Sequence, residues 1–427
     1  MVINKKEVSK MKKLLSLLLT ALMLLGLCSP ALADDELTLE YWIAGDARRT
    51  PVYIESAGRF TEATGIKVNV TEEVGDNTQV QQKLLTMIAS GSAPNVLQVD
   101  TMYVADMARA GIIMPLDEFP GFQETKDAII AAEVDPLVVD GKTYGFPIRG
   151  NSIHLVYNKQ MFREAGLDPE NPPKTLDELA DAAVKLTKRD ADGNIEVYGF
   201  EIGMNADPHW SLHAFSPIFW GFGGEYQLED GSSGWGSEAG VKALEYWNKL
   251  VNELQVSPVE RITNGFVSGK LAMMLDGEWN FRAWREEYPE LDYGISTIPM
   301  PSADVTPQIP LGGRACVIPV MSTHQEEGWE LLKHVLSYDE QMAYTKAEVG
   351  LGVRQDMGSD PWFDTNKNYR LVLEDMQYSK PKAATEIMQM DTIVFDAIQQ
   401  VILMGADPAE ALAAADEAYN ELLASLE

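Results

Sequence analysis

The chain runs to 427 residues, 45% of them hydrophobic, which exceeds what a single hydrophobic core usually organises, so two lobes or domains are expected. A formal net charge of −31 excludes nucleic acid as a partner. Two cysteines, Cys28 and Cys316, are too few for a crosslinked scaffold, and stability has to come from packing.

At the N-terminus Lys5, Lys6, Lys10, Lys12 and Lys13 precede an apolar run over 14–27, and Ala31-Leu32-Ala33 offers the small residues of a cleavage site. Residues 1–33 therefore read as an export signal, with Met11 as an alternative start, and the run is too short for a good membrane span. Leu25-Gly26-Leu27-Cys28 is a competing lipidation site, although Leu27 is bulky where that processing prefers a small residue. The expected location is the periplasm or the outer face of the cytoplasmic membrane. Cleavage removes five lysines and Glu7, a net +4 taken from −31, leaving −35 and only Cys316.

From Leu37 onward strand-like and helix-like segments alternate: strands over 37–43, 66–72 and 95–100, helices over 52–64, 78–91 and 102–111. Val80, Leu84, Leu85 and Ile88 give a helical face, whereas Val68, Val70, Val96, Leu97 and Val99 have the β-branched content of buried strands. This rhythm predicts an α/β fold with a mostly parallel sheet covered on both faces. Such sheets take ligands beyond the carboxyl ends of their strands, which puts 45–49 and 100–103 at one rim. Turn signals cluster over 140–147, and a strand over 153–157 begins a second lobe. A helix over 175–188, a hairpin at 190–194, an aromatic-rich stretch over 209–235 and a helix over 238–254 follow. Strands over 271–275 and 293–298 lead to the Pro-rich stretch 299–310 and to Gly312-Gly313-Arg314. A further strand, a helix carrying Trp329, Leu332 and Leu336, and a helical tail from about 367 complete the chain.

Several segments in order resemble bacterial extracellular solute-binding proteins of the sugar-binding family 1 type, soluble receptors of ABC importers that include the maltodextrin-binding proteins. They are "LTLEYWIAGD…RFTEATGIKVNV", "QQKLLTMIASGSAPNVLQVD", "GIIMPLDEF", "GKTYGFPIRGNSIHLVYNKQMF", "FVSGKLAMMLDGEWNFRAW" and "EEGWELLKHVLSYDEQ". Each alone is weak, and their order over roughly 390 residues is what makes them specific. The resemblance implies a periplasmic-binding-protein-like type II fold, two α/β lobes joined by a hinge crossed three times, near 147–150, 300–312 and 354–358. The lobes would be 34–147 with 312–354, and 148–311 with 355–427. A ligand between them would close them like a clamp, and the closed form would be presented to a membrane permease. Arg149 and His154 depart from the family's pattern, which has small or polar residues there.

Sugars need flat aromatic faces for their C–H surfaces and planar carboxylate, amide or guanidinium groups for their hydroxyls. Asp46 aligns with an acidic contact of maltodextrin-binding members and could equally be a helix-terminal acid. Asp100 and Tyr103 end the third strand, as ligand contacts or as a cap and a packed ring. Asn151 aligns with a hinge contact and could be a turn residue. Asp207, His209 and Trp210 resemble the family's acidic-Pro-aromatic loop, and Trp279 aligns with its sugar-stacking Trp. Trp220 and Trp235 are further candidates, while Tyr246, Trp247 and Trp329 read as core. Gly312 and Gly313 would let backbone amides approach a ligand or serve as hinge. Arg49, Arg149, Arg314 and Arg354 could fork onto hydroxyls or a carboxylate, with Arg48 and Arg49 alternatives for the inward position.

The expected ligand is a carbohydrate, an oligosaccharide by resemblance, taken by a monomer that partners ABC permease subunits. The arginines near strand ends raise an alternative, an anionic solute such as a uronate-containing oligosaccharide or a glycerol phosphate ester. A secreted glycoside hydrolase, drawing two carboxylates from Asp46, Asp100, Asp207, Asp276 and Glu278, is a third reading, from another class. No cofactor or metal is expected: 190–194 has its glycine at the fourth position rather than the sixth of a calcium loop, and no zinc spacing or phosphate-cradling loop occurs.

Overall fold

A computed structural model describes residues 37–44, 48–73, 86, 90–204, 207–310, 312–381 and 387–426. The export signal, Asp46 and most of the helix expected over 78–91 lie outside the described residues.

Strands β1 (Thr38–Ala44), β2 (Lys67–Glu73) and β3 (Val96–Asp100) are parallel neighbours, with the helix Thr50–Thr64 as the first crossover. That helix starts with Pro51 and ends on Gly65 in the left-handed conformation, whose N–H returns to the Thr61 carbonyl. After the two-strand hairpin β4 (Val138–Val139) and β5 (Lys142–Thr143) comes β6 (Phe146–Asn151). The first sheet has the order β2-β1-β3-β13-β6, in which β13 (Gly312–Val317) runs antiparallel to both its neighbours. Alternation along these strands buries both faces: Leu39, Tyr41, Ile43 and Cys316 belong to one core, and Trp42, Leu97, Val99, Ala315 and Val317 to another.

The chain leaves this sheet at Asn151 and enters a second one at Ile153, with Ser152 fully buried between them. The second sheet, order β10-β7-β11, joins β7 (Ile153–Asn158) to β10 (Met273–Gly277) and β11 (Tyr293–Ser296). Both of its named pairings are antiparallel, unlike the parallel rhythm the N-terminal half predicts. The hairpin at 190–194 forms as expected between β8 (Lys188–Arg189) and β9 (Ile195–Val197), with Asp190 accepting from the Asp192 and Asn194 amides. Ile153, Leu155, Met273 and Leu275 face a core built on the helices Pro208–Gly221, Glu238–Asn248, Ile387–Met404 and Pro408–Leu426. Tyr246 and Trp247 are buried there, while Trp329 packs under the first sheet. Short β12 (Ile309–Pro310) pairs with β14 (Ser379–Lys380) where the chain returns towards β13. The first-sheet core continues through Leu351, Val353, Met357 and Met376 onto Val156 and Met274 of the second sheet, so the joint between the sheets is packed. No helix among the described residues is long and apolar enough to cross a membrane.

Candidate functional site

The first sheet assembles a charged row from residues far apart in sequence. Its register sets Asp100 of β3 beside Arg314 of β13, and Arg314 beside Arg149 of β6. Paired residues of neighbouring strands project from the same face, so the three side chains lie in one line. The Asp100 carboxylate stands 3.7 Å from the Arg314 guanidinium and also accepts from the Met102 amide, so it is both cap and ion-pair partner. Arg149 is 5% exposed and donates to the Asn151 carboxamide at 2.9 Å. Burial works against its charge, but Tyr344, Tyr53, Glu278 and Asp100 around it hold its pKa above the ordinary value. Arg314 is pushed the other way, first by burial, with Arg149 and Arg49 adding repulsion that Asp100 only partly offsets.

Arg49 donates to the Val349 carbonyl at 2.7 Å and lies close enough to act on both Arg314 and Glu278. Arg48, at the preceding position, is exposed. Beside the row, Gly313 adopts φ of 137°, and a Cβ there would come 2.4 Å from the Arg149 carbonyl. Only glycine lets β13 approach β6 so closely. Tyr103 is half-buried against the core on the other face.

The second sheet contributes a different set. Asp276 and Gly277 end β10, and Glu278–Asn280 form one turn beyond it. The Trp279 ring folds back over Gly277, where any Cβ would meet it at 2.1 Å, and remains partly exposed. It meets the half-buried Trp210 ring edge to face, with centroids 6.1 Å apart. Trp210 lies in the first turn of the helix Pro208–Gly221, which Asp207 caps by accepting from the His209 amide. The Arg261 guanidinium covers Trp210 at 5.2 Å, and His213 stacks on it. His209 contacts the buried Asp391 carboxylate at 2.8 Å. A cavity of about 290 Å³ lies alongside, lined by Glu201, Arg261, Asp276, Asn280 and Trp284. Asp276 is pushed up to about 6 by burial, against the pull of Arg261, the Gly277 amide and Asn280.

His213 and Glu278 bring the two sets together. A Cβ on Gly312 would lie 3.7 Å from the His213 ring and 3.4 Å from Asn151. The Glu278 carboxylate, 2% exposed, accepts a long 3.4 Å bond from the Ser152 amide at the passage between the sheets. Burial raises it to about 7, countered by that bond, Arg149 and Arg49. On the same passage Glu133 is fully buried, accepts from Ser379 at 2.7 Å and is raised to about 8, chiefly by burial and further by Glu278.

Three expected contacts are corrected. Trp220 is 3% exposed, its faces already used by Tyr226 and the Lys380 ammonium, because its helix is buried on every side from Ser211 to Trp220; Trp235 is likewise core, stacked on Phe219. Arg354 forks onto Asp356 and donates to the Leu336 carbonyl, which holds it away from the row. His213, Arg261 and Asp391 were not singled out by the sequence. His213 follows His209 by one helical turn, and Asp391 is an acid in an apolar helical run; these signals could have found them. Arg261 sits in an irregular loop with no such signal.

The sequence profile of the family described as bacterial extracellular solute-binding protein matches residues 55–370. The sn-glycerol-3-phosphate-binding periplasmic protein of Escherichia coli K12 is 25% identical over 428 residues, covering 94% of this chain and 96% of its own length. A solute-binding protein of an ABC transporter from Thermotoga lettingae, solved with α-D-tagatose, is 27% identical, with a TM-score of 0.74 over 91% of this chain and all of its own. The sugar-binding protein MalE of Xanthomonas citri shares the fold at 20% identity, with a TM-score of 0.80 over 91% of this chain and 98% of its own. The architecture is the type II periplasmic-binding-protein fold, two α/β lobes joined by a hinge crossed three times, and the chain belongs to the bacterial extracellular solute-binding proteins.

Proposed function

We propose that this protein is the extracytoplasmic receptor of an ABC importer, that it binds a carbohydrate between its lobes, and that it passes the closed complex to the permease. The observation that carries the carbohydrate reading is the Trp210–Trp279 pair, two partly exposed rings beside the Arg261, Asp276 and Asn280 side chains. Aromatic faces next to planar polar groups suit a pyranose, whose C–H faces stack while its hydroxyls bond in the ring plane. Whole-length likeness to receptors solved with or named for sugars supports the same reading.

The protein performs no chemistry on its ligand in this reading: Asp207 is spent as a helix cap and Asp276 on Arg261, Asn280 and a backbone amide. It works as an exported monomer. We take its lobes as 34–151 with 312–354, and 152–311 with 355–427, moving the first boundary from the expected 147 to the end of β6 at Asn151. Titration calorimetry with a panel of oligosaccharides tests the reading. Binding of at least one sugar is expected, and tight binding of another class of solute with none of any sugar would overturn it.

A further inference from the structure

The cavity beside the ring pair holds more acid than its one base offsets. Glu201 bridges Met274 of β10, and Asp276 stands two positions further along that strand, so the register sets both carboxyls on one face. They are 3% and 1% exposed. Among the described residues the only base lining the cavity is Arg261, partly exposed, 3.5 Å from Glu201 and 3.3 Å from Asp276. Exposed Glu287 adds a third acid to the lining. The arginines of the helix Phe281–Glu287 are engaged elsewhere, Arg282 with Glu286 and the Ala347 carbonyl, Arg285 with Glu348. Three acids against one base leave the lining with a formal charge of −2.

The two buried acids are not equally satisfied. Asp276 accepts from the Gly277 amide at 2.8 Å, from Asn280 at 2.9 Å and from Arg261 at 3.3 Å. Glu201 accepts one hydrogen bond, from the Ile262 amide to its Oε2 at 3.1 Å, and its Oε1 has only the Arg261 Nε at 3.5 Å. That is well beyond the length of a strong charge-assisted bond, about 2.7–2.9 Å. The Glu201 carboxyl is raised above its ordinary value, first by burial and further by Asp276, with the Ile262 amide and Arg261 pulling the other way. A buried carboxylate oxygen that lines a cavity and lacks a donor is costly unless something in the cavity donates to it.

We propose that this cavity seats a protonated amino group of the ligand, which donates to Glu201 Oε1, so that the sugar held by Trp210 and Trp279 is an amino sugar. The inference rests on the carbohydrate reading above and narrows its ligand to a basic one. An ammonium brings three donors, no acceptor and a positive charge, which matches a lining rich in carboxylates; a neutral hydroxyl brings one donor and no charge. Phe266 and Trp284 give the cavity an apolar wall for the C–H surface of a ring. At about 290 Å³ it stands near the lower end of small-ligand pockets, roughly 300 Å³, and has room for a single ring. Arg261 lines the cavity and also covers Trp210 at 5.2 Å, so a ring seated there lies one side chain away from the stacked pair.

The test is titration calorimetry of the full chain with the glucosamine trisaccharide chitotriose, its N-acetylated counterpart, maltotriose and the polyamine spermidine. Chitotriose is expected to bind at least about tenfold more tightly than either neutral trisaccharide. Glu201→Gln keeps the shape of the side chain and removes its charge, and is expected to lose on the order of tenfold in affinity for chitotriose. Should this variant fold poorly, the unaltered chain decides, because chitotriose and its N-acetylated counterpart differ only at the amino groups. A neutral trisaccharide binding as tightly as chitotriose, or a folded Glu201→Gln variant that binds chitotriose normally, overturns the inference and leaves the carbohydrate reading standing. Binding of spermidine alone upholds the ammonium seat and overturns the carbohydrate reading. Failure of all four probes overturns the inference.

Discussion

The two sheets present opposite chemistry at the place where the chain passes between them. The first offers charge arranged by strand register, Asp100, Arg314 and Arg149 in line, with Arg49 added from a loop. The second offers rings arranged by a helix start and a strand end, Trp210 and Trp279, backed by Arg261 and Asp276. A row fixed by register cannot be retuned without moving a strand, whereas the two rings are held by local packing, Trp279 over Gly277 and Trp210 between Arg261 and His213. In the proposed reading the first side meets the ligand with groups spaced by the strands, and the second with rings placed by a helix start and a strand end.

The largest expected effect breaks the aromatic side alone. Trp279→Ala should lower affinity for the ligand on the order of thirtyfold, because a partly exposed anchor ring is removed, while Trp279→Phe should keep most of it. Calorimetric affinities of the two variants check this, and an Ala variant that binds normally would remove Trp279 from the site. The next effect breaks the register side. Gly313→Ala places a methyl 2.4 Å from the Arg149 carbonyl at a φ of 137°, and should cost about 1–3 kcal/mol of stability, read as a lower thermal midpoint.

A third prediction concerns the acids between the two sides. Glu133 and Glu278 are raised to about 8 and about 7 by burial. An acid raised on folding binds its proton more tightly in the native state, so stability falls as pH rises from the ordinary glutamate range towards these values. Glu133→Gln removes that loss. The variant should match the unaltered chain near pH 5 and exceed its thermal midpoint by about 2 °C near pH 8. A constant difference between the two across that range would contradict it.

How much of this was legible in the sequence follows from how each feature is built. The βαβ opening, the hairpin at 190–194 and the core tryptophans are local patterns, and they form where periodicity and turn residues put them. Asp100, Arg149, Asn151, Gly312, Gly313 and Arg314 were singled out one by one from strand ends and resemblance, and the register of β3, β13 and β6 brings them together. That register is a long-range pairing which no local pattern specifies. Trp220 misled because the aromatic-rich helix is buried on every side from Ser211 to Trp220, which turns a ring that reads as a platform into core. The partners that complete the second side, Asp391 for His209 and Arg261 for Trp210, lie 182 and 51 positions away along the chain. Their pairing comes from tertiary packing alone.

The smallest expected effect sharpens the boundary of the charged side. Arg354 follows a crossing, as Arg314 does, and sequence alone gives the two equal standing. Its guanidinium is already spent: it forks onto both oxygens of Asp356 at 2.9 and 2.6 Å and donates to the Leu336 carbonyl. Asp356 is half exposed, so water screens the pair and its loss should cost less than about 1 kcal/mol. Arg354→Gln should then lower the thermal midpoint slightly and leave affinity unchanged, in contrast to Arg314→Gln. A loss of affinity with Arg354→Gln would mean that Asp356 releases the guanidinium on closure, and the charged side would extend from the sheet register to the hinge itself.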